Sequence, residues 1–348
     1  MFRRSIVLVM RNFWQMATAA RPRRHESLRL ATGAVMMSAL SSIASAQTYP
    51  VRPITLVVPF AAGGPTDVVG RIVAERMRSS LGQPIIIENV SGAGGSLGAG
   101  RVARAMPDGY TAVVGNSDTH VVNGAVYTLN YDVTTDFEPI ALLSSYPMVL
   151  VSKNAVPAKN LKELIAWLKS NQETAVQGTV GAGSLPHLCG VDLQNRIGSR
   201  WQFVPYRGGA PAMQDLAGGQ IDLVCLSPGG TLPLARSGQV RAYAVLGKSR
   251  LAGSPDLPTA DEAGLPGFHV PFWNALWMPK NTPKGVVVKI NAAVMEALSD
   301  ATVRQRLNEL EVEIPSPEQQ TPEALAALQR SEIEKWGPII KAANIRGE

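Results

Sequence analysis

Residues 54–67 read Ile-Thr-Leu-Val-Val-Pro-Phe-Ala-Ala-Gly-Gly-Pro-Thr-Asp. Five residues, four of them apolar and four β-branched, end at Pro59, which cannot donate to a sheet ladder; this is the composition of a buried strand. Ala-Ala-Gly-Gly-Pro is a turn. From Val68 the period changes, with apolar residues at 68, 69, 72, 73, 77 and 81, the spacing of one helix face. Thr66 or Asp67 is expected to cap that helix, and Gly82 to end it. A buried strand, a glycine turn and a helix in direct succession are the unit of a parallel α/β fold.

The unit recurs on both sides of this stretch's end. Residues 85–90 form the next strand, 91–95 a second glycine turn, and 97–105 a helix. Pro107-Asp108-Gly109 turns into a strand over 110–115. Residues 137–153 then read as one long extended apolar stretch, and 161–170 as a helix. A second α/β unit follows: a strand over 175–180, the turn Gly181-Ala182-Gly183-Ser184, and a helix over 186–197. Residues 204–209 make a strand and turn before a helix over 210–217; strands over 221–226 and 241–247 complete the unit. After a Pro/Gly-rich segment the chain crosses Phe272 to Met278, where Phe272, Trp273 and Trp277 are expected in the core. Helices near 284–299, 301–310 and 322–343 close it. Two α/β domains are expected, with 47–152 plus 275–348 as the first and 153–274, crossover included, as the second.

Charge narrows the functional classes once it is located. The chain of 348 residues carries a net +6, but residues 1–46 hold seven arginines against the single acid Glu26, and the remainder is balanced. The basicity therefore gives no support to nucleic-acid binding by the folded part. Residues 21–46 read as a secretory signal peptide. Arg21, Arg23, Arg24 and Arg29 form a basic start, residues 30–43 a small and apolar run, and Ala44-Ser45-Ala46 the small residues before a cleavage site. The run of roughly 14 residues falls short of the ~20 needed to span a membrane. The protein is expected to be periplasmic after removal of 1–46. In that oxidising compartment Cys189 and Cys225 either pair or stay as two buried thiols; spacing does not decide.

Three turns, residues 60–67, 91–98 and 181–187, deliver a strand into a helix N-terminus through glycines, which exposes backbone N–H groups at the positive end of the helix dipole. That is an anion site needing no charged side chain. Nucleotide chemistry is not supported: no Gly-x-x-x-x-Gly-Lys-Ser/Thr occurs, and the third glycine of Gly92-x-Gly94-x-x-x-Gly98 is one residue late for a dinucleotide fingerprint. Catalytic groups are sparse. Ser184 and His187 admit a hydrolase reading, though without the glycines that flank a nucleophile elbow; otherwise Ser184 caps its helix and His187 packs beside it or orients a ligand. Asp67 suits a cap or a ligand contact better than a general base. Asp222 stands equally as a ligand contact or a buried capping acid.

The order of the motifs carries a further inference. Tyr49-Pro-x-Arg-Pro-Ile54, Val58-Pro-Phe-Ala-Ala-Gly-Gly-Pro-x-Asp67, Glu88-Asn-x-x-Gly-Ala-Gly-Gly95, Pro107-Asp-Gly-Tyr-Thr111, Val204-Pro-Tyr-x-Gly-Gly209, Gly218-Gly-Gln-x-Asp222 and Leu257-Pro-x-x-x-Glu-Ala-Gly264 occur in succession. Over nearly all of 49–345 the chain resembles the Bug (TctC-like) solute receptors of tripartite tricarboxylate transporters. The resemblance implies a periplasmic-binding-protein (Venus flytrap) fold of two α/β domains, which captures a small organic carboxylate in the cleft and delivers it to membrane permease subunits. It implies a monomer with no cofactor, no metal and no catalytic residue. Transferred to this sequence, the first clamp is Phe60, Ala61, Ala62, Gly63, Gly64, Thr66 and Asp67. The second is Gly181, Ala182, Gly183, Ser184 and His187. Asn116, Ser117, Thr119, Tyr206, Gly208 and Asp222 complete the wall. The alternatives carried beside this reading are an exported serine hydrolase using Ser184 and His187, and a ligand-sensing receptor for a membrane signalling partner.

Overall fold

The computed structural model describes residues 49–347, so the signal-peptide reading of 21–46 lies outside the described residues. The first lobe opens with β1 (Ile54–Val58), α1 (Pro65–Leu81), β2 (Ile85–Asn89), α2 (Ser96–Ala103), β3 (Thr111–Asn116), the short α3 (Asn123–Val126) and β4 (Phe137–Pro147). The second lobe comprises β5 (Val149–Lys153), α4 (Leu161–Ser170), β6 (Val176–Thr179), α5 (Leu185–Ile197), β7 (Gln202–Pro205), α6 (Gly209–Ala217), β8 (Leu223–Leu226), α7 (Pro228–Arg236) and β9 (Val240–Val245). The chain then returns to the first lobe through β10 (Pro271–Pro279), α8 (Lys284–Ser299), α9 (Ala301–Glu309) and α10 (Pro322–Ala342).

Each lobe is built on a five-stranded mixed sheet, ordered β2-β1-β3-β10-β4 in the first and β7-β6-β8-β5-β9 in the second. β1 is flanked by parallel partners on both sides, Leu56 lying opposite Ile87 and Ala112. β6 is flanked likewise by β7 and β8. In such sheets the crevice beyond the carboxyl end of the strand where the winding reverses is the place for a ligand. The turns after β1 and β6 are residues 60–67 and 181–187.

The long apolar stretch over 137–153 is two strands belonging to different sheets. It breaks at Met148, whose N–H bonds Val270 O (3.0 Å) and whose carbonyl accepts from Leu246 N–H (2.8 Å), while Val270 N–H bonds Leu246 O (2.8 Å). The two segments passing between the lobes are thus zipped together by backbone. This places the changeover at Met148 and Val270, so Val149–Lys153 joins the second sheet and Pro271–Asn274 the first, where the sequence reading divided them at 152 and 274. Trp273 and Trp277 on β10 are buried, at 1% and 0% exposure.

Helix α1 begins earlier than expected. Gly64 occupies the cap position and Pro65 the first turn, where its fixed φ suits a helix and its missing N–H costs nothing. Buried Val69, Ile72, Val73 and Met77 form its inner face, and Gly82 ends it at φ 67° with its N–H on Arg78 O. Cys189 on α5 and Cys225 on β8 are disulfide-bonded, with Cα atoms 6.5 Å apart. No described helix is long and apolar enough to cross a membrane.

Candidate functional site

Pro65 lacks an N–H, so the first turn of α1 presents the amides of Thr66 and Asp67 without an intrahelical acceptor. The side chains of these residues serve the turn. Asp67, 1% exposed, accepts Gly63 N–H and Arg71 Nε through one oxygen (both 2.8 Å) and Asn89 Nδ2 through the other (2.8 Å). Asn89 Nδ2 also donates to Phe60 O (3.0 Å). Burial raises the Asp67 pKa, but the bonds from Arg71, Gly63 and Asn89 outweigh it and hold the carboxyl below its ordinary value. Asp67 is thus the post that fixes a turn containing Gly63 at φ 83°, and both its oxygens are engaged. Thr66 Oγ1 donates to Asn274 Oδ1 (2.8 Å) and accepts from Asn116 Nδ2 (3.1 Å), while Asn274 Nδ2 donates to Ser144 Oγ (3.1 Å). This buried polar chain ties α1 to the end of β3 and to β10 and β4.

Beyond β3, Asn116 and Thr119 lock each other: Asn116 N–H donates to Thr119 Oγ1 (2.9 Å), and Thr119 N–H to Asn116 Oδ1 (3.1 Å). Between them Ser117, 1% exposed, has a buried hydroxyl with no partner among the described residues. Residues Asp118–Val122 form a wide π-helical turn, a feature frequent at functional sites.

In the second lobe Gly181 (φ 122°) and Gly183 (φ 74°) shape the turn into α5. Ser184 sits at the cap position but makes no capping bond; its hydroxyl points back to Gly181 O (2.8 Å). His187 Nδ1 accepts Gly183 N–H (3.0 Å), which leaves the neutral ring's proton on Nε2, and burial lowers its pKa. Ser184 and His187 are therefore both occupied in holding the loop and do not form a nucleophile–base pair. The capping bond expected of Ser184 is not made. Pro186 removes one of the first-turn donors, and the acceptor for Leu185 N–H comes from the other lobe: Asp118 Oδ1, at 3.0 Å. Burial pushes the Asp118 carboxyl up to about 6, with the Leu185 bond opposing.

Tyr206 lies at the end of β7, its N–H on Thr179 O (2.8 Å) and its hydroxyl on Asp215 (2.6 Å); burial and Asp215 raise its pKa to about 12. Gly208 caps α6 at φ 128°. Asp222 is elsewhere. Its carboxylate accepts Val176 N–H (2.7 Å) and pairs with Lys153 Nζ (2.7 Å), at the start of β6, whereas the 181–187 turn follows the end of that strand. Parallel pairing of β6 with β8 puts Asp222 at the amino end of these strands, away from the 181–187 turn, where it serves as a structural acid. The third glycine turn, 91–98, is a packing device: a Cβ on Gly98 would come within 2.7 Å of Val90 O and 2.8 Å of Pro59. Sequence reasoning did not single out Asp118, Asn274 or Ser144, because each acts through a partner distant in the chain. Among the described residues no cluster of His, Cys, Asp or Glu could hold a metal ion.

A family model described as the tripartite tricarboxylate transporter family receptor matches residues 69–345. Among solved structures, MatC from Rhodopseudomonas palustris with bound malate is 42% identical, covering 84% of this chain and 100% of that one, with a TM-score of 0.75. The periplasmic binding protein BugD is 40% identical over 86% of this chain and 100% of that one, with a TM-score of 0.74. An R. palustris protein solved with adipate is 32% identical over 86% and 99%, with a TM-score of 0.76. The extent of these matches and the two-lobed fold agree, and the chain belongs to the tripartite tricarboxylate transporter receptor family.

Proposed function

We propose that this protein is an exported receptor that closes two lobes on a small organic carboxylate and hands it to the membrane permease of a tripartite transporter. The observation that carries the reading is the first turn of α1, where the amides of Thr66 and Asp67 stand at the positive end of a helix dipole. The Asp67–Arg71–Asn89 brace preorganises that turn, so little ordering is required on binding. Relatives of the same architecture hold malate and adipate. Charge-assisted hydrogen bonds contribute about 1.5–3 kcal/mol each, and a few of them leave micromolar affinity after association costs.

Residues 21–46 are the export signal in this reading, and the receptor works as a monomer. The hydrolase alternative loses its support, since Ser184 Oγ and His187 Nδ1 are turned to Gly181 O and Gly183 N–H. Small-angle scattering tests the closing motion. A dicarboxylate that binds is expected to lower the radius of gyration as the lobes swing about the Met148–Val270 hinge. An unchanged radius at saturating ligand would rule out capture by closure.

A further inference from the structure

The second clamp of this chain is already occupied, by the protein itself. Asp118 reaches 67 residues along the sequence and across the cleft to accept Leu185 N–H at 3.0 Å, the first amide of α5. Pro186 contributes none. A ligand carboxylate cannot take that amide while Asp118 holds it. The site is therefore polarised: donors without acceptors on α1, and a carboxylate on the α5 side. Asp118 is only partly covered, no Lys, Arg or His pairs with it among the described residues, and Leu185 N–H is its one side-chain hydrogen bond. A carboxylate has about four acceptor positions, so most of its capacity is unmet. The neighbouring Ser117 hydroxyl is buried and unpartnered as well.

We propose that Asp118 is a specificity-determining residue, selecting acids that carry a hydrogen-bond donor, a hydroxyl or an ammonium, beside the carboxylate held by α1. The proposal rests on the receptor reading above. A plain carboxylic acid leaves Asp118 unanswered and brings a like charge towards it. An α-hydroxy or α-amino acid turns a donor to it.

The experiment is calorimetric titration of the protein with matched sets that differ only in the donor: succinate, malate and aspartate; glutarate, 2-hydroxyglutarate and glutamate; 3-phenylpropionate, 3-phenyllactate and phenylalanine. In whichever set binds, a donor-bearing acid is expected to bind about 10- to 100-fold tighter than its plain parent, the range of one charge-assisted hydrogen bond. Asp118→Asn keeps the shape and removes the charge. It is expected to weaken the amino acid at least tenfold while leaving the plain acid unchanged or tighter, and Asp118→Ala to do the same. A merely structural role would weaken every member of a set alike, and that result overturns the proposal. So does equal or tighter binding of the plain acids by the unaltered protein. Heat from none of the nine acids would remove the receptor reading itself, a different failure.

Discussion

Two aspartates, Asp67 in the first turn of α1 and Asp118 bonded to the first amide of α5, are set in opposite electrostatic situations, and their pH behaviour should differ in sign. Asp67 is held below its ordinary pKa by Arg71, Gly63 N–H and Asn89, against its own burial. The stability it contributes is therefore complete above about pH 4 and is lost only as pH falls through its depressed value. Asp67→Ala leaves three donors without their acceptor and should cost about 1–3 kcal/mol in urea denaturation at pH 7. Carboxylate affinity should fall with it, because the α1 turn loses its post. Asp118 is raised to about 6 by burial. Its contribution runs the other way, full below about pH 4 and lost as pH rises through 6. Asp118→Asn should accordingly be the more stable protein at pH 8, with the difference shrinking as the pH is lowered to 4; a difference independent of pH would show that the carboxyl is not desolvated in the fold. The role of Asp67 was half legible, since an acid in the first turn of a helix is expected there. The role of Asp118 was not, because nothing in Ser-Asp-Thr points to an amide 67 residues away. Asp222 misled for a related reason: strand sequence does not say which end of the sheet faces the cleft.

At the scale of elements, the turns depend on glycines whose neighbours leave no room. Gly183 has φ 74°, and a Cβ there would lie 2.7 Å from Val126 of the first lobe. Gly183→Ala should impair closure, lowering ligand affinity in calorimetry by more than it lowers the melting temperature. Gly98 is boxed in by backbone, Val90 O at 2.7 Å and Pro59 Cα at 2.9 Å, which cannot swing aside. Gly98→Ala should push α2 off β1 and cost about 1–3 kcal/mol, read as a fall in melting temperature whether or not ligand is present. Strand–turn–helix units were legible because their hydrophobic period changes from two to 3.6 at the turn. Helix α7 was not: Pro-Gly-Gly-Thr-Leu-Pro-Leu-Ala-Arg has the composition of a loop, and it is held by Pro228 in its first turn and by Thr231 Oγ1 donating to Ser227 O (3.0 Å). The break between β4 and β5 was hidden for another reason. Both strands are buried, so apolar character continues through Met148 although the chain changes sheets there.

For the whole molecule, two α/β units, each with a glycine turn leading into a helix, were legible in the sequence. What it could not show is how the lobes meet: the zipped hinge at Met148, Leu246 and Val270, and the bond from Asp118 to α5. The Cys189–Cys225 disulfide lies wholly within the second lobe. Closing a loop of 36 residues contributes about 3–4 kcal/mol in the chain-entropy account. Reduction should therefore lower the melting transition of the second lobe while the first lobe's amides stay protected in hydrogen exchange; equal loss of protection in both lobes would mean that they unfold as one unit. Whether the α1 terminus is a carboxylate site is decided by calorimetric titration of the protein with acids, each beside its primary amide. Micromolar binding is expected for an acid and none for its amide, with ligand at 100 times its dissociation constant adding about 2.7 kcal/mol of stability. An amide that binds as tightly as its acid would contradict it.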